Sequence, residues 1–343
     1  MGHFSFPRFV IDQWTTIPQL EPVDLSGQTV LVVGANAGLG LEAAKHFARM
    51  KPGKLALACR TKKKCEDTAK EIQEVIGYGT ISCYAVELAD FASVVAFAEE
   101  FEKAEGRLDI LLYNAGVSTQ KYERTTDGWE KNLQVNLLSC ALLSILLLPL
   151  VLKTSYLTAV TAHRPRLVFV TSDTHYWVKS IPEISNTSNI LEKLNDKDYC
   201  NVKSVMDSRY FVTKLLIVLF TRELAARLPP SKAIINTVNP GLCHSGILRD
   251  VSGGLPLKVF VQIMARTTEV GGRLIVWAAI ADRHREEALH GKYISDMEIR
   301  EESELAISKD GYAMQRKLWG DIVDVLAAVA PRFKEVVDAH LSN

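Results

Sequence analysis

Between Thr29 and Ala44 an apolar, mostly β-branched run, Val30-Leu31-Val32-Val33, passes through Gly34, Gly38 and Gly40 into an alanine-rich helical pattern. A buried strand turning sharply into a helix has this signature, and the rest of the chain has to be organised around it. Glycine permits positive φ and close approach of a ligand. The helix start directs unpaired N–H groups and the positive end of its dipole at an anion. The spacing Gly34-x-x-x-Gly38-x-Gly40 differs from the G-x-G-x-x-G of the commonest dinucleotide fingerprint. On its own it leaves a nucleotide site and an ordinary helix-start turn both open.

The same alternation recurs down the chain. Lys54 to Arg60, Ile81 to Val86, Leu108 to Tyr113, Arg166 to Thr171, Ala233 to Val238 and Gly291 to Ile294 read as further strands. Helical patterns lie between them at 61–76, 93–103, 127–152, 209–220 and 269–281. Seven strands alternating with helices predict βαβ units, right-handed crossovers and a single doubly wound parallel sheet of the α/β class, with helices on both faces. In such a sheet ligands bind at the carboxyl ends of the strands, where Gly34, Arg60, Glu87 and Asn114 fall. Arg60 ends the second strand, beside the place of the adenosine ribose. An arginine there accommodates the 2′-phosphate of NADP, whereas an acidic residue favours NAD, and no Asp or Glu precedes it. A solvated strand-end arginine is the plainer alternative.

Composition narrows the partners. The 40 basic and 40 acidic side chains cancel, which removes the single-sign field that a nucleic acid or anionic membrane surface would select. A small molecule is the expected partner. Six cysteines without a C-x-x-C pair, and no leader-like N-terminus, point to a reducing, cytoplasmic location. The apolar stretch 141–152 is shorter than the roughly 20 residues of a membrane span, and Pro149 interrupts it, so it reads as a buried helix. No His, Cys, Asp or Glu cluster has metal-ligand spacing. The organisation expected is an arm over 1–25, one domain over 26–330 with polar or mobile segments at 176–208 and 242–270, and a helical tail over 331–343 on the outside. Pro7, Pro18 and Pro22 leave the arm no regular pattern.

Tyr210 and Lys214, four apart on one helix, share a face, and an ammonium near a phenol favours the phenolate. A hydroxyl such as Ser172, at the end of a neighbouring strand, can hydrogen-bond a carbonyl oxygen that becomes an alkoxide during hydride transfer. Y-x-x-x-K alone is common. Here it occurs with Gly34-x-x-x-Gly38-x-Gly40, Asn114-Ala115-Gly116, Asn136, Ser172 and Asn239-Pro240-Gly241 followed by Ser245, in that order. In these pieces the chain resembles the short-chain dehydrogenase/reductase superfamily over nearly all of 26–330. It is most similar to the retinol-dehydrogenase-like branch, in 220–225 and 291–295, and looks like a filamentous-fungal member of the kind that acts in secondary metabolism.

The resemblance implies an NADP(H)-dependent oxidoreductase that interconverts a ketone or aldehyde and an alcohol on a bulky apolar molecule of polyketide, terpenoid or steroid type. Tyr210 would be the acid or base, Lys214 would lower its pKa and hold the nicotinamide ribose, Ser172 would polarise the carbonyl, and Asn136 would support a proton-relaying water. Gly34, Asn36, Gly38, Leu39, Gly40, Arg60, Glu87, Leu88, Asn114, Ala115, Gly116, Thr171, Pro240, Gly241 and Ser245 would join Tyr210 and Lys214 around the cofactor. The sequence departs from the family at Val33 and Ser245, commonly threonine, at Tyr113, commonly asparagine, and at Glu87, commonly aspartate. None of these removes a reacting group. The gap between Ser172 and Tyr210 is longer than usual, and the extra loop could wall the substrate pocket with His175 and Tyr176 near its root, or cover a dimer face. Monomer and homodimer both stay open, as does His175 as a pocket residue or a structural one. The alternative function is a cofactor-binding fold turned to non-redox work, as an isomerase, cyclase or regulatory binder.

Overall fold

The computed structural model describes residues 2–158, 163–181, 184, 187–248, 254–281 and 285–342. Eight strands form one sheet in the order β3-β2-β1-β4-β5-β6-β7-β8. They are β1 (Thr29–Val33), β2 (Lys54–Cys59), β3 (Ile81–Ala85), β4 (Ile110–Tyr113), β5 (Arg166–Val170), β6 (Ile234–Asn239), β7 (Lys292–Ser295) and β8 (Glu298–Arg300). The seven expected strands pair in parallel, and the eighth, too short to stand out in the sequence, returns antiparallel to β7. Strand order reverses between β1 and β4, which opens a crevice at the carboxyl ends of these two strands.

The sheet is covered on both faces, and β1 shows why its run is continuously apolar. Val30 and Val32 pack with Ala43, Ala44, Phe47 and Ile275 on one side. Leu31 and Val33 pack with Phe97, Leu142 and Leu215 on the other. Each side of a period-2 strand meets helices, so no position is left for a polar residue.

Four helical expectations change. The N-terminal arm contains α1 (Phe6–Trp14): Pro7 sits in its first turn, where a missing N–H costs nothing, and Ser5 caps it. The helix expected over 127–152 begins only at Lys131, passes through a π-turn at Gln134–Leu138, and is bent by 46° before Pro149 opens the next helix, Leu148–Leu157. No single described helix is long and apolar enough to cross a membrane, and this bent pair carries its leucines in the core except Leu157 at its end, which is exposed. The polar 179–207 stretch holds short helices at Ile190–Asn195 and Lys197–Cys200, capped by Asn189 and Asp196. The Gly254–Met264 helix lies within the 242–270 segment, of which residues 249–253 are outside the description. At the C-terminus the helix Lys309–Val329 buries Leu318 and Ile322, and the tail helix Pro331–His340 buries Phe333, in the main core, while their other faces stay exposed.

Candidate active site

The glycine loop is shaped by contacts that exclude a side chain. Gly34 has φ +83°, and a Cβ there would lie 2.9 Å from Ala115; a Cβ on Gly40 would lie 2.1 Å from the Gly34 carbonyl oxygen. The helix Gly38–Arg49 (α2) starts after Ala37, which offers no side-chain cap, so its first N–H groups are free to meet an anion. Asn36 is half-buried beside it. Asn114 Nδ2 donates to the Gly34 carbonyl at 3.0 Å and ties the end of β4 to the loop. Leu39 abuts Gly271, and Ser245 lies over Gly38, 4.0 Å from the place of its absent side chain. This cradle fits a dinucleotide pyrophosphate: backbone donors face an opening that glycines keep clear.

At the adenosine side, Arg60 is exposed and its Nε meets Glu87 Oε2 at 3.3 Å, while Glu87 Oε1 accepts the Ala89 N–H at 3.0 Å. Leu88 points into the core instead of flanking the opening.

The side chains expected to react come from three elements. Tyr210 and Lys214 stand on a 25-residue helix, Lys203–Arg227, that is buried along most of its middle. Ser172 follows β5, and Asn136 sits in the π-turn. The extra residue of a π-turn turns an asparagine inward from an apolar run, a local irregularity common at functional sites. Asn136 Oδ1 accepts the Val117 N–H at 2.8 Å, and its Nδ2 donates to Val117 O at 2.9 Å and to Thr213 Oγ1 at 3.0 Å. Both of its Nδ2 protons are therefore used, while Oδ1 keeps a second lone pair. A Cβ on Gly116 would lie 3.3 Å from Asn136 Oδ1 and 3.6 Å from Lys214 Nζ, so that glycine leaves open the space where the two meet.

Lys214 behaves differently from the sequence expectation. Its Nζ donates to Val170 O at 2.9 Å and lies over the Tyr210 ring, 5.4 Å from the centroid. Burial pulls its pKa down to about 8. Tyr210 is pushed upward, by burial first and by the charge of Asp173 second, with hydrogen bonding to Ser172 acting against them. The ammonium is aimed at a carbonyl rather than at the phenol oxygen, so desolvation decides the direction. Thr171, expected at the cofactor, gives its hydroxyl to the Lys214 carbonyl at 2.9 Å and braces the helix on β5.

His175 is structural. It is fully buried, its Nδ1 lies 2.7 Å from Ser172 O, and its Nε2 accepts the Ser303 N–H at 3.1 Å. Nδ1 must then carry the proton, and burial pulls the pKa down to about 4. The ring ties the loop bearing Ser172 to the segment after β8, with no nitrogen left for a substrate. Tyr176 next to it donates to Glu301 O and lines a cavity of about 390 Å³. Gly241, φ +75°, turns the chain after β6 and donates to Asn239 Oδ1 at 3.1 Å; Pro240 before it is buried.

That cavity lies between α1, the end of β6 and the β7–β8 hairpin. Phe4, Phe9, Tyr176 and Tyr293 stand beside Asp12, Asp173, Asp296 and Arg300, so its lining is mixed aromatic and charged. Sequence reasoning missed that the arm holds a helix. Gln13 fastens it, donating to Leu242 O and Met264 O, both at 2.9 Å, and accepting the Leu242 N–H at 3.1 Å. Also missed was Asn132, four before Asn136, which holds Thr119 as Asn136 holds Val117; the N-x-x-x-N spacing was its signal. Buried Glu130 caps this turn through the Asn132 and Leu133 N–H groups and faces Arg209 Nε at 3.8 Å, joining the π-turn to the helix of Tyr210.

The short chain dehydrogenase family model matches residues 28–175. The chain is 35% identical over 334 residues, 94% of its length and 84% of the relative's, to the short-chain dehydrogenase anuD of Penicillium roqueforti. It is 34% identical to the short chain dehydrogenase/reductase dmxR8 of Cryptosporiopsis, covering 89% of this chain and 92% of that one. Its fold is similar to a crystal structure of an uncharacterized protein from Mycobacterium paratuberculosis, with TM-score 0.64 and 24% identity over 89% of this chain and 95% of the other. With one sheet order, one glycine cradle and relatives of this identity across nearly its whole length, the chain belongs to the short-chain dehydrogenases, oxidoreductases that work with NAD(P)(H).

Proposed function

We propose that the protein is an NADP(H)-dependent oxidoreductase that interconverts a ketone or aldehyde and an alcohol on a bulky small molecule. The observation that carries this is the convergence of Ser172, Tyr210 and Lys214, from β5 and one buried helix, at the carboxyl end of the sheet that also holds the Gly34–Gly40 cradle. A bound nicotinamide cofactor supplies or accepts the hydride. Gly34, Gly38, Gly40 and the start of α2 would hold its phosphates, Asn114, Ala115 and Gly116 its adenosine half, and Pro240, Gly241 and Ser245 its nicotinamide end.

Ser172 and Tyr210 then act on the substrate oxygen. The Tyr210 phenol, held protonated by burial, gives its proton to the developing alkoxide in reduction and regains it in oxidation. Ser172 donates a hydrogen bond that strengthens as charge grows on that oxygen. Lys214, still mostly an ammonium at neutral pH although burial lowers its pKa to about 8, would hold the ribose from its place beside Val170 and Gly116. Arg60 supports NADP over NAD because it is an exposed strand-end cation with one weakly held carboxylate partner. Bulk is supported by a cavity within the size range of ordinary ligand pockets.

The test is titration of the purified protein with NADPH and NADH, followed by absorbance assays on bulky ketones, aldehydes and alcohols. Tighter NADPH binding with turnover supports the proposal; binding of neither cofactor contradicts it.

A further inference from the structure

Ser172 is already engaged. Its Oγ donates to Asp173 Oδ1 at 3.2 Å and accepts the Thr174 N–H at 3.2 Å. Asp173 stands on the inner wall of the cavity, and no described cation lies within ion-pair distance of it. Its neighbours are matched among themselves. Arg300 holds both oxygens of Asp12, at 2.5 and 3.2 Å, and Asp296 at 3.1 Å. Arg8 pairs with Asp12 at 2.8 Å, and Arg266 with Asp296 at 2.6 Å. Arg266 keeps Nε and Nη1 without a partner among the described residues but does not line the cavity, whereas Asp173 does and has acceptor capacity to spare toward a ligand.

In the proposed reaction, Ser172 has to turn its proton from Asp173 to the substrate oxygen. Asp173 then loses its hydroxyl donor while it lies against a filled cavity, and an under-satisfied buried carboxylate is expensive. We infer that Asp173 is a substrate-binding residue that accepts the O–H of a hydroxyl within two carbons of the reacting carbonyl, so that this enzyme takes hydroxylated carbonyl compounds. The 3.2 Å between Ser172 Oγ and Asp173 Oδ1 sets that distance. A carbonyl oxygen on the first and a hydroxyl on the second must lie close together on one molecule. The exchange keeps the count of hydrogen bonds unchanged: Asp173 trades the serine proton for the substrate's, and Ser172 trades a carboxylate for the carbonyl. Aromatic walls from Phe4, Phe9 and Tyr293 accept the apolar body of such a compound.

This rests on the proposed carbonyl chemistry, and its test reads binding alone. Two hydroxyketones, 2-hydroxyacetophenone and 3-hydroxy-1-phenyl-1-propanone, are titrated calorimetrically against their methyl ethers, with and without NADP+, so that no hydride moves. At least one hydroxyketone is expected to bind about tenfold or more tightly than its ether. Asp173→Leu should remove that preference while NADP+ affinity holds. Should that variant fail to fold, Asp173→Asn, which keeps the shape and loses the charge, should cut the preference at least about threefold. Equal affinities in the natural protein, undetectable binding of all four ketones, or a preference that survives both substitutions overturns the inference. Absence of NADP+ binding counts against the functional reading instead, because the ketone comparison is also made on the free protein.

Discussion

The two ends of the ligand crevice are built in different ways. The cofactor end, from β1 to β4, is made of backbone: positive-φ glycines, an uncapped helix start, and Asn114 reaching the Gly34 carbonyl. The substrate end is made of side chains from remote parts of the chain. Gln13 meets Leu242, 229 positions away, and Asp12 meets Arg300, 288 positions away. Backbone geometry constrains sequence at each position, because only glycine fits. Long-range side-chain pairs can be exchanged together, so this end is where a family of one reaction acquires different substrates.

Substitutions at the two ends should therefore fail differently. The largest effect is expected from Gly40→Val, whose Cβ would fall 2.1 Å from the Gly34 oxygen. Calorimetry should show NADPH affinity lowered by about a hundredfold or more, with stability down by about 1–3 kcal/mol from overpacking. An unaltered affinity would break the assignment of this cradle.

His175 fastens the substrate end by tying the Ser172 loop to Ser303, and its effect depends on pH. Its pKa is pulled from 6.5 to about 4 in the folded protein, so between these values the unfolded chain binds more protons and stability rises with pH. Acidification from pH 6.5 to 4 should cost up to about 3 kcal/mol through this group. Asp173 opposes it. Its folded pKa, raised to about 6 chiefly by burial, makes the folded form hold a proton longer, a contribution lost as pH rises from about 4 to 6. Denaturant titrations should find the two contributions nearly cancelling in the natural protein, an acid loss uncovered in Asp173→Asn, and an acid gain in His175→Asn.

A smaller change is expected at the far wall. Gln13→Ala takes the partner from the Leu242 N–H and the Met264 carbonyl, while Leu242 O keeps the Arg266 N–H; it should cost about 1–3 kcal/mol and expose α1 to proteolysis while NADPH affinity stays unchanged. A fall in NADPH affinity would erase the distinction between the ends. The smallest is Arg60→Ala, expected to weaken NADPH by about tenfold, or about 1.4 kcal/mol, without affecting NADH. An unchanged ratio would remove Arg60 from the phosphate.

Legibility in the sequence divides along the same line. The strand run of β1 and its glycines announce a buried strand and a tight turn because both depend on local residues. The order of Ser172, Tyr210 and Lys214 carried the reaction class. Lost to view were features fixed by distant partners: the helix α1, whose Gln13 and Asp12 are held from beyond residue 240, and the burial of Phe333. Asp173 was passed over beside Ser172, since nothing local shows that the salt bridges around it leave it out. Periodicity also gave no sign of the π-turn at Asn136, because one extra residue in a helix leaves an apolar run apolar.

The most direct measurement compares Tyr210→Phe with the natural protein for NADPH affinity and for kcat on a turned-over ketone. The account predicts unchanged affinity and a kcat lower by about a hundredfold to ten-thousandfold, the usual reach of a positioned acid. A variant that keeps full turnover would contradict Tyr210 as the proton donor, and with it the redox assignment of this site.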